Sequence, residues 1–473
     1  MTVEAPPVQL TERSATELAR AIRAREVTSR EVVEAHIARL RAVQPRINAI
    51  AADRFDAALA EADAADARVA AGEQDLPPLL GVPCTVKESI ALEGMPNCAG
   101  VVARRDYRCG ESAPSVQGLL DAGAIPLGVT NTSELCMWIE SENRVYGRTN
   151  NAYDPSRIAG GSSGGEGAAV GSGGSPIGLG SDIGGSIRLP AFFNGVFGHK
   201  PSPGVVSNEG HYPAPGAEAE RMLGLGPLAR RAEDLMPVLR AIARPDAALG
   251  DPAAVSFEGM RVLVSIPPGR APASRDLLAA RERAAGALAA LGARVEHSPM
   301  RSVLRALDLY LATLMGGAGT TVREVLAEAG TPPLRWRALA GRERPHTVAT
   351  ILLLAAEYLG AKVPERRTRR AIAAGLAFAR ELADTVGDGL LLHPPFARVA
   401  PRHGRTVGRP WVIAHMAIFN LGGLPVTQVP LGLDRNGLPL GVQVAAAPGN
   451  DHLTIAAALA LERAFGGWVP PPR

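Results

Sequence analysis

Two glycine-rich loops each present a serine, and an upstream apolar run ends in a lysine. Ser162 lies in GGSSGG (160–165), and Ser186 closes SDIGGS (181–186), 24 residues further on. Lys87 ends GVPCTVK (81–87), which reads as a strand with a charge at its tip. Glycine lets the backbone approach a reacting atom and aim several N–H groups at one point. Two serines and a lysine, with no obligatory histidine, are the parts of a lysine-based acyl-transfer site. Such chemistry calls for neither a metal nor an organic cofactor.

The elements that must position these residues follow from local signals. Ser14 with Glu17 and Thr28 with Glu31 read as capping boxes. The second box opens a helix with Val32, Val33, His36, Ile37, Leu40 and Val43 along one stripe, stopping before Pro45. An alanine-rich helix follows from about 53 to Gly72. Strands are expected at 79–86, 125–129, 177–179, 293–296, 424–431 and 440–445, with helices at 115–121, 277–290 and 452–465. Residues 432–440 read as a turn between two strands. This alternation predicts a single-domain α/β/α sandwich around a mixed, mostly parallel twisted sheet. The organisation expected is N-terminal helices over 1–75, a catalytic core over 76–245, a helical cap over about 300–385 and a returning core over 386–473. In the cap, Leu304, Leu307, Leu311 and Leu314 fall at helical spacing, followed by a basic stretch (Arg335, Arg337, Arg342, Arg344) and by Ile351 to Leu354 and Tyr358. That pattern fits amphipathic packing on the sheet, or a wall of a substrate channel.

Composition narrows the class. The 473 residues are 46% hydrophobic and 21% charged, enough for a large core. The net charge is +3 and the basic residues are scattered, so a nucleic-acid partner is not implied. Cys84, Cys98, Cys109 and Cys136 show no CxxC spacing, and a reduced, cytoplasmic state is expected. The N-terminal MTVEAPPVQL has neither a basic nor an apolar leader segment. No apolar run approaches the roughly 18 residues of a transmembrane helix.

The stretch 160–200 resembles the signature block of the amidase signature family of Ser–Ser–Lys hydrolases. GVPCTVKESIALEGMPNCAG (81–100), TNTSELCMWIESENRVYGRTNNAYDPSR (130–157), HKPSPGVVSNEGHYP (199–213) and the stretch 421–471 fit the same family. Within it, the chain most resembles the fatty-acid amide hydrolase 2 branch and its bacterial relatives. The resemblance is weak over about 300–385. It implies a single amidase signature domain that cleaves linear amides through an acyl-enzyme, esters also, with carbamates as the alternative substrate class. It further implies a cis peptide at Gly161–Ser162, an acyl pocket lined by Cys136, Met137 and Ile139, and a cap that shapes the acyl and leaving-group pockets. A homodimer is consistent with it.

Roles can then be assigned. Ser186 is the expected nucleophile, at a strand-to-helix turn where the N–H groups of Ile183, Gly184, Gly185 and Ser186 converge on one oxygen. The base cannot be a solvated lysine, which stays protonated to about pH 10. Burial lowers that value, so a neutral Lys87 takes a proton from Ser162, which takes one from Ser186. Ser163 is expected to hydrogen-bond the site, Asp182 and Arg188 to form an ion pair shaping the loop, and Glu166 to cap or orient it. His199, His393 and His403 read as structural or surface histidines.

Three other readings compete. GxSxG at 160–164 also fits an α/β-hydrolase, with His297 or His393 completing a triad, but it lacks a clear strand directly before it. The glycines could cradle a phosphate, yet no GxxxxGK[ST] or GxGxxG follows a strand. The amidotransferase subunit of tRNA-dependent glutamine synthesis shares the signature, but its block continues differently from GGSSGGEGAAV and GHKPSPG.

Overall fold

The computed structural model describes residues 9–267, 272–300, 303–316, 321–331, 345–360 and 364–472. Apolar strands that are buried along their whole length need cover on both faces, and the sheet is built from such strands. The strands are β1 (Ile50–Asp53), β2 (Pro83–Lys87), β3 (Ile125–Thr130), a separate small hairpin of β4 (Glu142–Asn143) and β5 (Gly147–Arg148), then β6 (Ile177–Asp182), β7 (Phe197–Lys200), β8 (Gly224–Ala229), β9 (Arg261–Ile266), β10 (Arg294–Pro299), β11 (Leu390–His393), β12 (Val426–Leu433) and β13 (Pro439–Ala445). Eleven of them form one sheet in the order β1-β3-β2-β6-β8-β7-β12-β13-β11-β9-β10. Every residue of β2, β3, β6, β8 and β13 is buried.

The sheet is mixed, as expected, and helices flank it. Its parallel pairs form two blocks, β3-β2-β6 and β11-β9-β10. The strands between these blocks pair antiparallel. Of these pairs, β12 and β13 are joined by a short turn, in which Gly437 N–H donates to Asp434 O (3.0 Å) and returns the chain directly.

Local signals place most elements. Both capping boxes close as written, at Ser14/Glu17 and Thr28/Glu31. The second helix differs from expectation by running through Pro45, over Ser29–Ile47. Proline there removes only one bond of the final turn, and Asn48 caps the end in the left-handed region with its N–H on Gln44 O (2.8 Å). The strand expected from 79 starts only at Pro83. Residues 77–82 are taken up by turns, with Leu80 N–H on Pro77 O (3.1 Å) and Val82 N–H on Leu79 O (3.0 Å).

The cap contains the helices Val303–Gly316, Val322–Glu328, Val348–Gly360 and Glu365–Val386. Its residues divide between packing and a cavity wall. Val303, Leu307 and Tyr310 bury themselves against Phe378, Leu382 and Phe419, whereas Leu311 and Leu314 face the cavity described below. Arg335, Arg337, Arg342 and Arg344 lie outside the described residues. Among the described residues, no helix is long and apolar enough to cross a membrane.

Helix packing makes a prediction about two glycines. Gly118, in the helix Pro114–Asp121, sits where an added Cβ would come within 2.1 Å of Ala241 O in the helix Leu235–Ile242. Gly286, in the helix Arg275–Ala289, faces open space. Alanine gains roughly 1 kcal/mol over glycine in a helix interior, while forcing an atom into a packed contact costs about 1–3 kcal/mol. In thermal melts Gly286→Ala should therefore melt above wild type and Gly118→Ala below it. A Gly118→Ala protein as stable as wild type would refute the close packing of these two helices.

Candidate active site

The end of β2 carries Lys87 into the interior, where it is fully buried. Its Nζ lies 2.6 Å from Ser162 Oγ and 2.8 Å from Ser181 Oγ. Burial disfavours the ammonium and moves this amine below the ordinary lysine range, against the opposing pull of Cys136, Asp182 and Glu166. The Gly161–Ser162 peptide is cis, as the resemblance implied. Ser162 and Ser186 open on the same cavity. Ser163 ties the two loops together: its N–H donates to Ser186 O (3.2 Å) and its hydroxyl to Ser181 O (3.2 Å).

The loop after β6 is organised around one carboxylate. Asp182 accepts from the N–H groups of Gly185 (2.8 Å), Ile187 (3.2 Å) and Arg188 (3.3 Å). It also takes a fork from Arg188, through Nε (2.9 Å) and Nη2 (3.1 Å). Arg188 spends its other N–H groups on Gln443 Oε1 (2.6 Å), Asn420 Oδ1 (2.6 Å) and Met416 O (3.3 Å). Burial alone would raise the Asp182 carboxyl; the charge and hydrogen bonds of Arg188, with Asn420, outweigh it and hold the group well below the usual carboxylate range. The expected ion pair is thus present, fully buried and fully partnered.

The backbone of this loop differs from expectation at one position. Gly185 N–H is turned inward to Asp182 and not toward the cavity. Its φ of +110° and the 2.7 Å between an added Cβ and Met416 Cβ explain why glycine stands there. Among the described residues, the N–H groups of Ile183, Gly184 and Ser186 have no protein acceptor, and these three residues line the cavity.

Three buried carboxylates brace the surroundings. Glu166 accepts from Thr85 Oγ1 (2.6 Å) and Thr130 Oγ1 (2.7 Å), pinning the helix Gly164–Gly171 to β2 and β3; burial pushes it up to about 7. Glu88, next to Lys87, receives Cys98 N–H (2.7 Å), Ala99 N–H (2.9 Å) and Tyr146 Oη (2.9 Å). Glu134 reaches into the cap, accepting from His346 Nδ1 (2.6 Å), Thr347 N–H (2.8 Å) and Thr350 Oγ1 (2.8 Å). It anchors a loop in which Leu135 and Cys136 both take positive φ (+56° and +58°). Sequence reasoning assigned no role to Glu88, Glu134, Ser181 or His211. All four lie within quoted motifs, but their partners are remote in sequence.

The cavity has two arms that meet at Cys136, Met137, Ile183 and Ser186. One arm is apolar, walled by Trp138, Ile139, Tyr310, Leu311, Val412 and Ile413. The other passes His211, Pro213, Leu223, Val322 and Val325 to Glu357. Cys136, Met137 and Ile139, expected to line an acyl pocket, all line this cavity. The remaining histidines are engaged elsewhere. His199 binds Thr427 Oγ1 (2.9 Å) and Asp451 Oδ1 (3.1 Å), and His393 binds Ser265 Oγ (2.7 Å) and His415 Nδ1 (2.9 Å). His403 binds Pro155 O (3.1 Å), and His297 pairs with Glu282 (2.9 Å) on the exterior. The serine of the GxSxG match therefore has a lysine beside it, not a histidine.

Comparison with known proteins agrees with this geometry. A family model described as Amidase matches residues 31–455. The chain is 45% identical to fatty-acid amide hydrolase 2-A of Danio rerio and 41% identical to fatty-acid amide hydrolase 2 of Homo sapiens, in each case over 97% of this chain and 90% of the relative. The solved structure of 6-aminohexanoate cyclic dimer hydrolase superposes with a TM-score of 0.85 at 27% identity, over 98% of this chain and 99% of its own. Two serine loops, a buried lysine between them and near full-length likeness to known amidases lead to one assignment: the chain belongs to the amidase family.

Proposed function

We propose that this protein hydrolyses linear amide C–N bonds through an acyl-enzyme on Ser186. The observation that carries the reading is the buried Lys87 amine 2.6 Å from Ser162 Oγ, on the cavity that also exposes Ser186. Neutral Lys87 draws the Ser162 proton as Ser162 takes that of Ser186, and Ser186 Oγ bonds to the substrate carbonyl carbon. The carbonyl oxygen, now an anion, meets the free N–H groups of Ile183, Gly184 and Ser186, each such donor contributing roughly 3 kcal/mol to the transition state. Collapse breaks the C–N bond, and the proton returns through Ser162 to the departing nitrogen. Water then repeats the sequence on the acyl-serine, releasing the acid and restoring Ser186.

The apolar arm supports an apolar acyl group, and the similarity to fatty-acid amide hydrolases points the same way. Esters share the tetrahedral intermediate and belong to the same reading. A carbamate would carbamoylate Ser186 through the same steps. The four cysteines are free and buried, which suits a reducing compartment such as the cytoplasm. Homodimer formation remains part of this proposal as an inheritance from the resemblance.

Hydrolysis of p-nitroanilides and p-nitrophenyl esters of graded acyl length, with one aryl carbamate, tests the reading. Ser186→Ala and Lys87→Ala should each lose on the order of 10⁴-fold or more in kcat, the scale seen when one member of a nucleophile–base unit is removed. Activity surviving Ser186→Ala would overturn the mechanism. Lys87 works only when unprotonated, so kcat/KM falls as pH drops through its depressed pKa. The alkaline plateau should therefore be reached below the roughly 10.4 of an ordinary lysine. A half-rise at that ordinary value would mean a solvated base.

The buried ion pair makes a separate prediction. Asp182→Asn leaves the Arg188 guanidinium buried without its counter-charge, which costs about 3–5 kcal/mol. The variant should melt well below wild type and lose activity, because Gly185 and Ile187 lose the carboxylate that sets the loop. An unchanged melting temperature would show that the pair does not hold the loop.

A further inference from the structure

We propose that His211 is a positioning residue that, through Ser181, points the lone pair of Lys87 at Ser162. The inference rests on the reading of Lys87 as the base. His211 Nδ1 lies 2.9 Å from Pro213 O, and a carbonyl can only accept, so Nδ1 carries the proton. In the neutral ring Nε2 is then an acceptor, 2.9 Å from Ser181 Oγ and 3.3 Å from Ser89 Oγ. Ser181 has one hydroxyl proton. Given to Nε2, it leaves the Ser181 oxygen to accept an N–H from Lys87 at 2.8 Å. A neutral amine has two N–H groups and one lone pair; with one N–H held by Ser181, the amine is oriented so that its lone pair can meet the Ser162 hydroxyl at 2.6 Å. The direction from Pro213 O to the Ser181 oxygen is fixed at its far end by a carbonyl.

His211 lines the cavity arm with Glu357. The titratable groups facing it are Lys87 through Ser181, Cys136 on the adjoining loop, and Glu357 across the cavity; Glu88 and Asp182 on the neighbouring strands are committed to other partners. For Cys136, burial would raise the thiol, but the charges of Lys87 and His211 pull it down.

The test is the pH dependence of kcat and KM for wild type, His211→Leu, His211→Gln and Lys87→Ala on one p-nitroanilide, with a thermal melt of each. Leucine removes the acceptor. His211→Leu should lower kcat with little change in KM, by more than about 10-fold and less than the roughly 10⁴-fold cost of losing a tautomer-fixing partner in a serine triad. Glutamine can offer Oε1 to Ser181 but takes up no proton. His211→Gln should restore most of kcat. Wild-type kcat in a folded His211→Leu, with Lys87→Ala inactive, would overturn the proposal and leave the base intact. A folded His211→Gln without that recovery would overturn it even if the leucine variant does not fold. An active Lys87→Ala would remove the base itself, and this inference with it.

Discussion

Burying an amine with no carboxylate paired directly to it is the constraint around which this structure is arranged. A lysine in water is a cation, and a cation cannot take a proton from a serine. Desolvation supplies the remedy by penalising the charged form. It works only if no carboxylate repays the ammonium. The packing respects that rule. Glu166 is close enough to influence Lys87, yet its oxygens are satisfied by Thr85 and Thr130, and burial pushes it up to about 7, leaving part of it uncharged at neutral pH. Glu88, the very next residue, is turned away to Cys98, Ala99 and Tyr146. Lys87 itself touches hydroxyls, which can give or take a proton.

A few residues away the same low-dielectric interior is used in the opposite sense. Asp182 and Arg188 are charged, buried and saturated with partners, the condition under which a buried pair is tolerated. Their function is geometric. By collecting the N–H groups of Gly185, Ile187 and Arg188, Asp182 folds the loop so that the remaining N–H groups of Ile183, Gly184 and Ser186 are left over for the cavity. In the proposed mechanism one buried charge is excluded to make a base, and another is admitted to shape a turn. The two lie at the same end of neighbouring parallel strands, β2 and β6.

How much of this was legible in the sequence follows from where each partner sits. Lys87, Ser162 and Ser186 could be found because glycine runs and a strand ending in a charge are local patterns. The capping boxes and the Asp182–Arg188 pair, six residues apart, were equally local. Gly185 was misread because its N–H is taken by the Asp182 carboxylate three residues before it, a turn that a run of glycines does not announce. The run through Pro45 depended on the Asn48 cap, which a rule that stops helices at proline does not weigh. His211 and Glu134 were quoted as parts of motifs but given no work, since the first acts on β6 and the second on the cap. The sheet's antiparallel middle was likewise hidden, because alternation of helices and strands reports the crossovers and not the pairings between blocks.

The apolar arm of the cavity comes from a different part of the chain than the groups around Lys87 and Ser186. The groups around Lys87 and Ser186 come from β2, β6 and the two glycine loops, and their hydrogen bonds leave little room for variation. The apolar arm is drawn instead from Trp138 and Ile139, from Tyr310 and Leu311 of the cap, and from Val412 and Ile413. Glu134 joins these sources. Its carboxylate holds His346, Thr347 and Thr350 of the cap, while the next two residues carry their backbone in the left-handed region and present Cys136 at the point where the arms meet. Two consecutive non-glycine residues in that region cost of order 1–3 kcal/mol each, and they persist only when surrounding contacts over-determine them. The cap supplies those contacts. A change in the cap can therefore reshape the cavity wall through Glu134 without touching the partners of Lys87, in the region where resemblance to the family is weakest.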